Sequence, residues 1–249
     1  MESQLASRLE AIPTRWSLVH GANATDATMD ATVARQALVL RYARAIRRYV
    51  GGIVTKSDDA DELAQDVIMR LMKGDFAGAD QARGRFRDLL KTAVRNMVRN
   101  HWAKSNRRRT ADADPDHAAD TSDPAWDHEW QANVLDHAWA ALREAERQNP
   151  VVPSYTLLRL RTEFPDAPSE ELAEKLAART GTTVRSDACR QMLRRARLRF
   201  SEALVTEIGI GLADPSPTRV AEELASLGLL DYVKDFLPSD WAVRGELNP

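Results

Sequence analysis

The sequence predicts an all-α chain: two small helical domains joined by an acidic linker, with a C-terminal helical extension. Three observations predict it. Apolar residues recur three and four apart along most segments. Strand-like alternation is hard to find. Gly and Pro are sparse inside the apolar segments and stand at their ends. A chain of 249 residues can bury a core and suits two small domains. With 29% charged and 6% aromatic residues, the composition is that of a soluble, helix-rich protein.

Residues 1–28 form a leader, in which residues 14–19 (TRWSLV) offer a short stretch to pack onto the first domain. The first domain is expected over 29–110. It opens with an amphipathic helix at about 30–50, whose apolar face holds Val33, Ala37, Leu40, Ala43 and Ile46. Gly51 and Gly52 loosen or end it. Ser57 or Asp58 caps a second helix over 59–73, with Leu63, Val67, Ile68 and Leu71 inward, and Gly74 closes it. A third helix begins near Gly84. Residues 111–124 are acidic, small and turn-forming, which suits an exposed flexible linker.

A second domain is expected over 125–208. Its first helix, to about Gln148, carries Trp126, Trp130, Leu135, Ala138, Trp139 and Leu142, and these large groups are expected to open a second core. Pro150 and Pro153 break it, and a helix over 154–163 follows. Ser169, after Pro168, is placed as the N-cap of the next helix, with Glu170 and Glu171 at its positive end. Leu172, Ala173, Leu176 and Ala177 line one face, and Gly181 terminates it. Ser186 and Asp187 start a helix reaching about Ile208. The extension, 209–249, contains a helix over 219–232 that Thr218 could cap. Val220, Leu224, Leu227, Leu229 and Leu230 form its apolar face. That face caps the second domain structurally, covers it and holds the protein inactive, or binds a regulator.

The most informative stretch runs over 83–109. It gathers ten Lys or Arg residues (83, 85, 87, 91, 95, 99, 104, 107, 108 and 109) against one acid, Asp88, in a chain of formal charge −2. Such a concentration favours a phosphate-rich partner. On a helix, Phe86, Leu89, Leu90, Ala93, Val94 and Met97 share one face. Lys91, Arg95 and Arg99 fall opposite, with Trp102 among them. An indole there suits stacking on an unpaired base between phosphate contacts; alternatively it caps the core or covers Arg95 through a cation–π contact. Arg107, Arg108 and Arg109 would hold the nucleic-acid backbone just beyond the helix.

The helices over 169–180 and 186–208 have helix-turn-helix proportions. In the second, Cys189, Leu193, Ala196 and Phe200 make the buried stripe, so Cys189 reads as a small core residue. Arg190, Gln191, Arg194 and Arg195 point away from it, where Arg reads guanine and Gln reads adenine in a major groove. The acidic run Asp59, Asp61, Glu62, Gln65, Asp66 opens the second helix, a placement that the helix dipole favours by itself.

Other classes are disfavoured. No run of about 18 apolar residues exists, so a membrane span is not expected. The N-terminus lacks a signal-peptide core, so a cytoplasmic location is expected. One cysteine excludes an intrachain disulfide and a Cys-rich zinc site. His20, His101, His117, His128 and His137 lack metalloprotease spacing, and there is neither a Gly-rich phosphate loop nor a nucleophile elbow. No enzyme, catalytic residue, metal or cofactor is expected.

With these residues in view, the chain resembles a bacterial RNA polymerase sigma factor of the extracytoplasmic-function group, in the sigma-70-like family. Residues 59–66 are similar to the region 2.2 surface that docks on the polymerase clamp helices. Residues 84–109 are similar to regions 2.3 and 2.4, which melt and read the minus-ten element. Residues 193–197, with Cys189 and Arg190 before them, are similar to the region 4.2 helix that reads the minus-thirty-five element. Residues 14–19 and 82–87, and 213–215 followed by a Glu-Glu-Leu helix, resemble a subgroup common in planctomycete-like bacteria.

The resemblance implies a region 2 bundle and a region 4 helix-turn-helix. It implies binding to core polymerase (clamp helices and flap) through Asp59, Asp61, Glu62, Gln65 and Asp66, and to promoter DNA. Asn96, Arg99, Asn100, Trp102, Lys104 and Asn106 would capture minus-ten bases, with Lys91, Arg95 and Arg107 to Arg109 on phosphates. Ser186, Arg190, Gln191, Arg194, Arg195 and Arg197 would contact the minus-thirty-five element. An anti-sigma factor or other regulator is a further candidate partner. Two departures stand out: a turn before Cys189 about two residues longer than usual, and Met192 where the family is often basic. The competing reading is a helix-turn-helix regulator that acts without core polymerase.

Overall fold

The computed structural model describes residues 29–73, 85–107, 123–212 and 215–237. All regular structure among them is helical, apart from one isolated bridge between Arg85 and Leu212. In chain order the helices are α1 (Met29–Ile53), α2 (Ser57–Lys73), α3 (Phe86–Arg107), α4 (Pro124–Gln148), α5 (Ser154–Glu163), α6 (Ser169–Thr180), α7 (Ser186–Ile210), α8 (Pro217–Ser226) and α9 (Leu230–Val233). Residues 14–19, 82–84, 111–122 and 213–214, which carry several expectations, lie outside the described residues.

Local punctuation explains most helix ends. Gly181 closes α6 at φ 71, a left-handed backbone that glycine adopts without a Cβ penalty, and its N–H reaches the Ala177 carbonyl at 2.8 Å. Gly228, at φ 64, ends α8 earlier than the expected 219–232, and the Leu229 N–H turns back to the Leu224 carbonyl at 2.8 Å. Two caps differ from expectation, and a third had no expectation set against it. Pro168, not Ser169, is the α6 N-cap residue, and it carries no side-chain cap bond. At α8 the Ser216 hydroxyl, one turn before Arg219, accepts that residue's amide at 3.5 Å. Asp123 caps α4: its Oδ1 accepts the Trp126 amide at 3.1 Å, with Pro124 preset at the first helical position. Gly51 and Gly52 do not end α1, which runs through both to Ile53.

The described residues divide into two compact units. One takes in the chain up to Asn133 together with Gly209–Arg219; the other takes Val134–Ile208 and the chain from Val220. In the first, α1 lies along α2 and α2 packs on α3. Leu38, Tyr42, Ile46, Tyr49 and Val50 of α1, Leu63, Val67 and Leu71 of α2, and Phe86, Leu90, Val94 and Val98 of α3 are buried. The expected α1 face is therefore wrong in part. Val33 is 57% and Leu40 83% exposed, while Tyr42 and Tyr49 turn inward.

The reason is an aromatic cluster. Trp130 stacks on Tyr42 at 5.0 Å, Trp126 meets Tyr49 edge-on at 5.0 Å, and Phe86 lies 5.0 Å from Tyr42. Trp126 and Trp130 thus complete the first unit rather than opening a second core. Aromatic contacts of this kind add about 0.5–1.5 kcal/mol each beyond simple burial.

The second unit has its own centre in Leu142, Leu157, Leu160, Leu172, Leu176 and Leu193. Trp139 of α4 belongs here, 4.7 Å from Phe200 and edge-on to Tyr155 at 5.9 Å. Cys189, Leu193 and Ala196 are buried and Phe200 packs against them, as the sequence pattern indicates. From the extension, Val220, Leu224, Leu227, Leu229 and Val233 are buried, while Leu230 is half-buried.

Candidate nucleic-acid interface

The basic helix α3 is built less simply than its sequence suggests. Its buried side contains Phe86, Leu90, Val94 and Val98, and also Arg87 and Lys91, each only 7% exposed. Leu89, Ala93 and Met97 are half-buried. Lys91, expected on the outer cationic face, is therefore corrected to an internal position. Asp127, at the start of α4, reaches Arg87 at 3.9 Å, and this extra neighbour widens the covered face beyond one apolar stripe. A buried cation needs compensating partners, so Lys91 serves the fold before it serves any ligand.

Arg95 is half-buried, and its charge acts on Tyr49. The Tyr49 hydroxyl donates to Asp123 Oδ2. Burial, and then that carboxylate, hold the hydroxyl well above the usual tyrosine range, and Arg95 pulls the other way. Tyr49 stays a protonated donor at all ordinary pH.

What remains outward on α3 is an arc of Asn96, Arg99, Asn100 and Trp102. Arg99 donates to Asn96 Oδ1 at 3.0 Å, Asn100 is exposed, and Trp102 is 44% exposed. The indole is thus accessible on the side that carries Arg99. Lys104, Asn106 and Arg107 continue α3, but their side chains, like Arg108 and Arg109 entirely, lie outside the described residues.

On α2, Asp61, Glu62, Gln65 and Asp66 are exposed, and Asp59 is half-buried with Oδ2 3.8 Å from His101 Nε2 of α3. Leu63, Ala64, Val67 and Leu71 hold the opposite face inward. Met69, one turn beyond Gln65, is 48% exposed on the same acidic face. Sequence reasoning missed it. The available signal was its i+4 spacing from Gln65, which puts it with the acids and not with Leu63 and Val67.

In α7, Arg190, Gln191, Arg194, Arg195 and Arg197 are exposed as expected, and Ser186 is half-buried. Arg190 pairs with Asp187 one turn earlier. Arg185, just before the helix, is also exposed and escaped the sequence analysis. Met192 packs against the unit's core, which accounts for an apolar side chain at that position. The Cys189 thiol is pushed up by burial, consistent with an inert core group. Among the described residues no cluster of His, Cys, Asp and Glu could hold a metal, and no helix is long and apolar enough to cross a membrane.

An outward acidic face on α2 is followed by a helix that presents amides, an arginine and an indole outward. Residues 38–108 match the family model for sigma-70 region 2. The match covers α1 from Leu38, α2 and α3, less than a third of the chain. A region of this kind is the part of a sigma factor concerned with RNA polymerase binding and promoter melting. No curated protein and no solved structure matched the chain.

Proposed function

We propose that the chain is a transcription initiation factor of the extracytoplasmic-function type. It binds core RNA polymerase through the exposed face of α2, opens the minus-ten element with the outer arc of α3, and reads the minus-thirty-five element with α7. The observation that carries this reading is the coincidence of the family match, over 38–108, with an exposed indole beside Arg99 on α3.

Mechanistically the protein binds and does no covalent chemistry. Unstacking a base step costs a few kcal/mol. Stacking of a freed base on Trp102 returns about 1–3 kcal/mol, and Asn96 and Asn100 supply donors and acceptors for base edges. Arg99 adds a phosphate term that weakens with salt. On α7, Arg190 and Arg194 suit guanine and Gln191 suits adenine. Helix pair α6–α7 alone would fit a regulator that acts without polymerase, but that reading leaves the α2 face and Trp102 unexplained. Cytoplasmic localisation and membership of the planctomycete-type subgroup belong to the same proposal.

Purified chain mixed with core RNA polymerase tests it. Co-elution, with promoter-dependent run-off transcripts, is the expected result; promoter binding without polymerase association would favour the regulator instead. The double variant Asp61→Arg, Gln65→Ala should elute apart from polymerase while keeping its helical content. Unchanged affinity would remove the docking role from α2.

A further inference from the structure

Helix α5 carries a polar face that the initiation reading does not use. Leu157 and Leu160 hold one side of the helix in the core of its unit. Tyr155, Arg159 and Thr162, spaced by four and then three residues, share another side. With Thr156 and Glu163 of the same helix, and Arg179 at the end of α6, they line an open cavity of about 740 Å³. All six residues belong to the unit that contains Val134–Ile208.

The acids near this cavity already have partners. A first-turn amide has no acceptor inside its own helix, and Glu146 of α4 supplies one: its Oε2 accepts the Thr156 amide at 2.9 Å and its Oε1 the Thr156 hydroxyl at 2.5 Å. Glu163 stands one turn beyond Arg159, yet it accepts from Arg179 at 2.7 Å. The neighbouring Arg161 donates to the Pro165 and Ala167 carbonyls. Arg159 differs from both. Among the described residues its guanidinium makes neither a hydrogen bond nor an ion pair; its Cζ lies over the Trp139 ring, 5.1 Å from the centroid. The half-buried Tyr155 sets its ring edge-on to the same indole, and its hydroxyl also makes no hydrogen bond among the described residues. Two guanidinium groups against one carboxylate leave the lining net positive.

A cation–π contact uses the face of a guanidinium and leaves the N–H groups at its edge available. Held on the indole, that edge is a fork suited to two oxygens of a phosphate. The cavity is far larger than a bare phosphate ion and falls within the range of small-molecule sites, about 300–1,000 Å³. We propose that the cavity between α5 and α6 binds a small phosphate monoester of nucleotide size. Its phosphate accepts from Arg159 and from the Tyr155 hydroxyl, and Arg179 adds positive charge. The site does not depend on the initiation reading.

Calorimetric titration of the full chain with adenosine 5′-monophosphate, and separately with inorganic phosphate, tests the site. Saturable one-to-one binding of the nucleotide is expected, with a Kd of about 1 mM or tighter, and weaker binding of inorganic phosphate. Arg159→Gln should weaken nucleotide binding by about tenfold or more while circular dichroism shows the same helical content. Arg159→Lys keeps a cation over the indole but loses the fork, and should weaken it by about threefold or more. Absence of saturable binding overturns the proposal, as does full affinity in Arg159→Gln, which would leave Arg159 a cover for Trp139 only. Inorganic phosphate bound as tightly as the nucleotide contradicts the size of the ligand. Duplex DNA binding, measured beside it, should be unchanged in Arg159→Gln; a parallel loss would give the cavity to duplex phosphates and overturn the small-molecule assignment.

Discussion

Helices α3 and α7 look alike in sequence: both are amphipathic and both are rich in arginine. Their structures differ. On α7, Arg190, Arg194, Arg195 and Arg197 are all exposed, and the first half of the helix packs along one stripe of Cys189, Leu193 and Ala196, while Ser201, Leu204, Val205, Glu207 and Ile208 are buried further on. On α3, Arg87 and Lys91 are buried, Arg95 is half-buried, and Arg99 stands outside beside Trp102. The difference comes from the neighbours. The start of α4 brings Trp126, Asp127 and Trp130 to the unit that holds α3, and Gly211 with Leu212 meets its first turn. Charge counted along a sequence is a measure of surface charge only where the helix is covered from one side.

The contrast can be broken or sharpened by substitution, from the largest effect downward. Trp126→Ala should remove about 3–5 kcal/mol of stability, because the side chain is 1% exposed and its loss opens a cavity between α1 and α4; urea denaturation measures it. A charge reversal on each helix comes next. Lys91→Glu places an unmatched carboxylate in a buried site and should cost about 3 kcal/mol or more. Arg195→Glu should change stability by no more than about 0.5 kcal/mol while promoter binding falls. Equal stability losses in the two would erase the distinction between the helices.

How much of this was legible beforehand follows the same line. The spans of α5 and α6 were readable, because Pro153, Pro168 and Gly181 act on their own neighbours. The buried stripe in the first half of α7 was readable for the reason its cations are exposed: there one side packs and the other does not. The inward face of α1 was not, since Tyr42 and Tyr49 were turned inward by tryptophans about eighty residues later in the chain; on α3 the apolar face was readable, and the burial of Arg87 and Lys91 beside it was not. Asp123 was absorbed into an acidic linker because nothing local separates a tethering acid from a capping one. Of the candidate site, the outward residues of α2 and α7 were legible, and Lys91 was misplaced.

Smaller effects separate DNA roles from fold roles. Arg194→Ala should reduce discrimination at one promoter position by about 1–3 kcal/mol, read from binding to single-base variants of the minus-thirty-five element. Arg99→Ala should weaken binding evenly across sequences and lower the salt slope by about one. Tyr49→Phe removes one part-buried hydrogen bond to Asp123 and should cost about 1 kcal/mol. Its pH behaviour is also fixed in sign. The folded state holds the hydroxyl above its ordinary range, so the contribution is full below about pH 10 and is lost as pH rises through the folded value.

The central claim is that the outer arc of α3 holds opened DNA. Permanganate oxidation of unpaired thymines near the minus-ten element, with core polymerase and the chain present, tests it most directly. The account predicts reactive thymines with the unsubstituted chain and at least a tenfold drop with Trp102→Ala. A duplex that stays unreactive, or one that opens equally well without the indole, would contradict it.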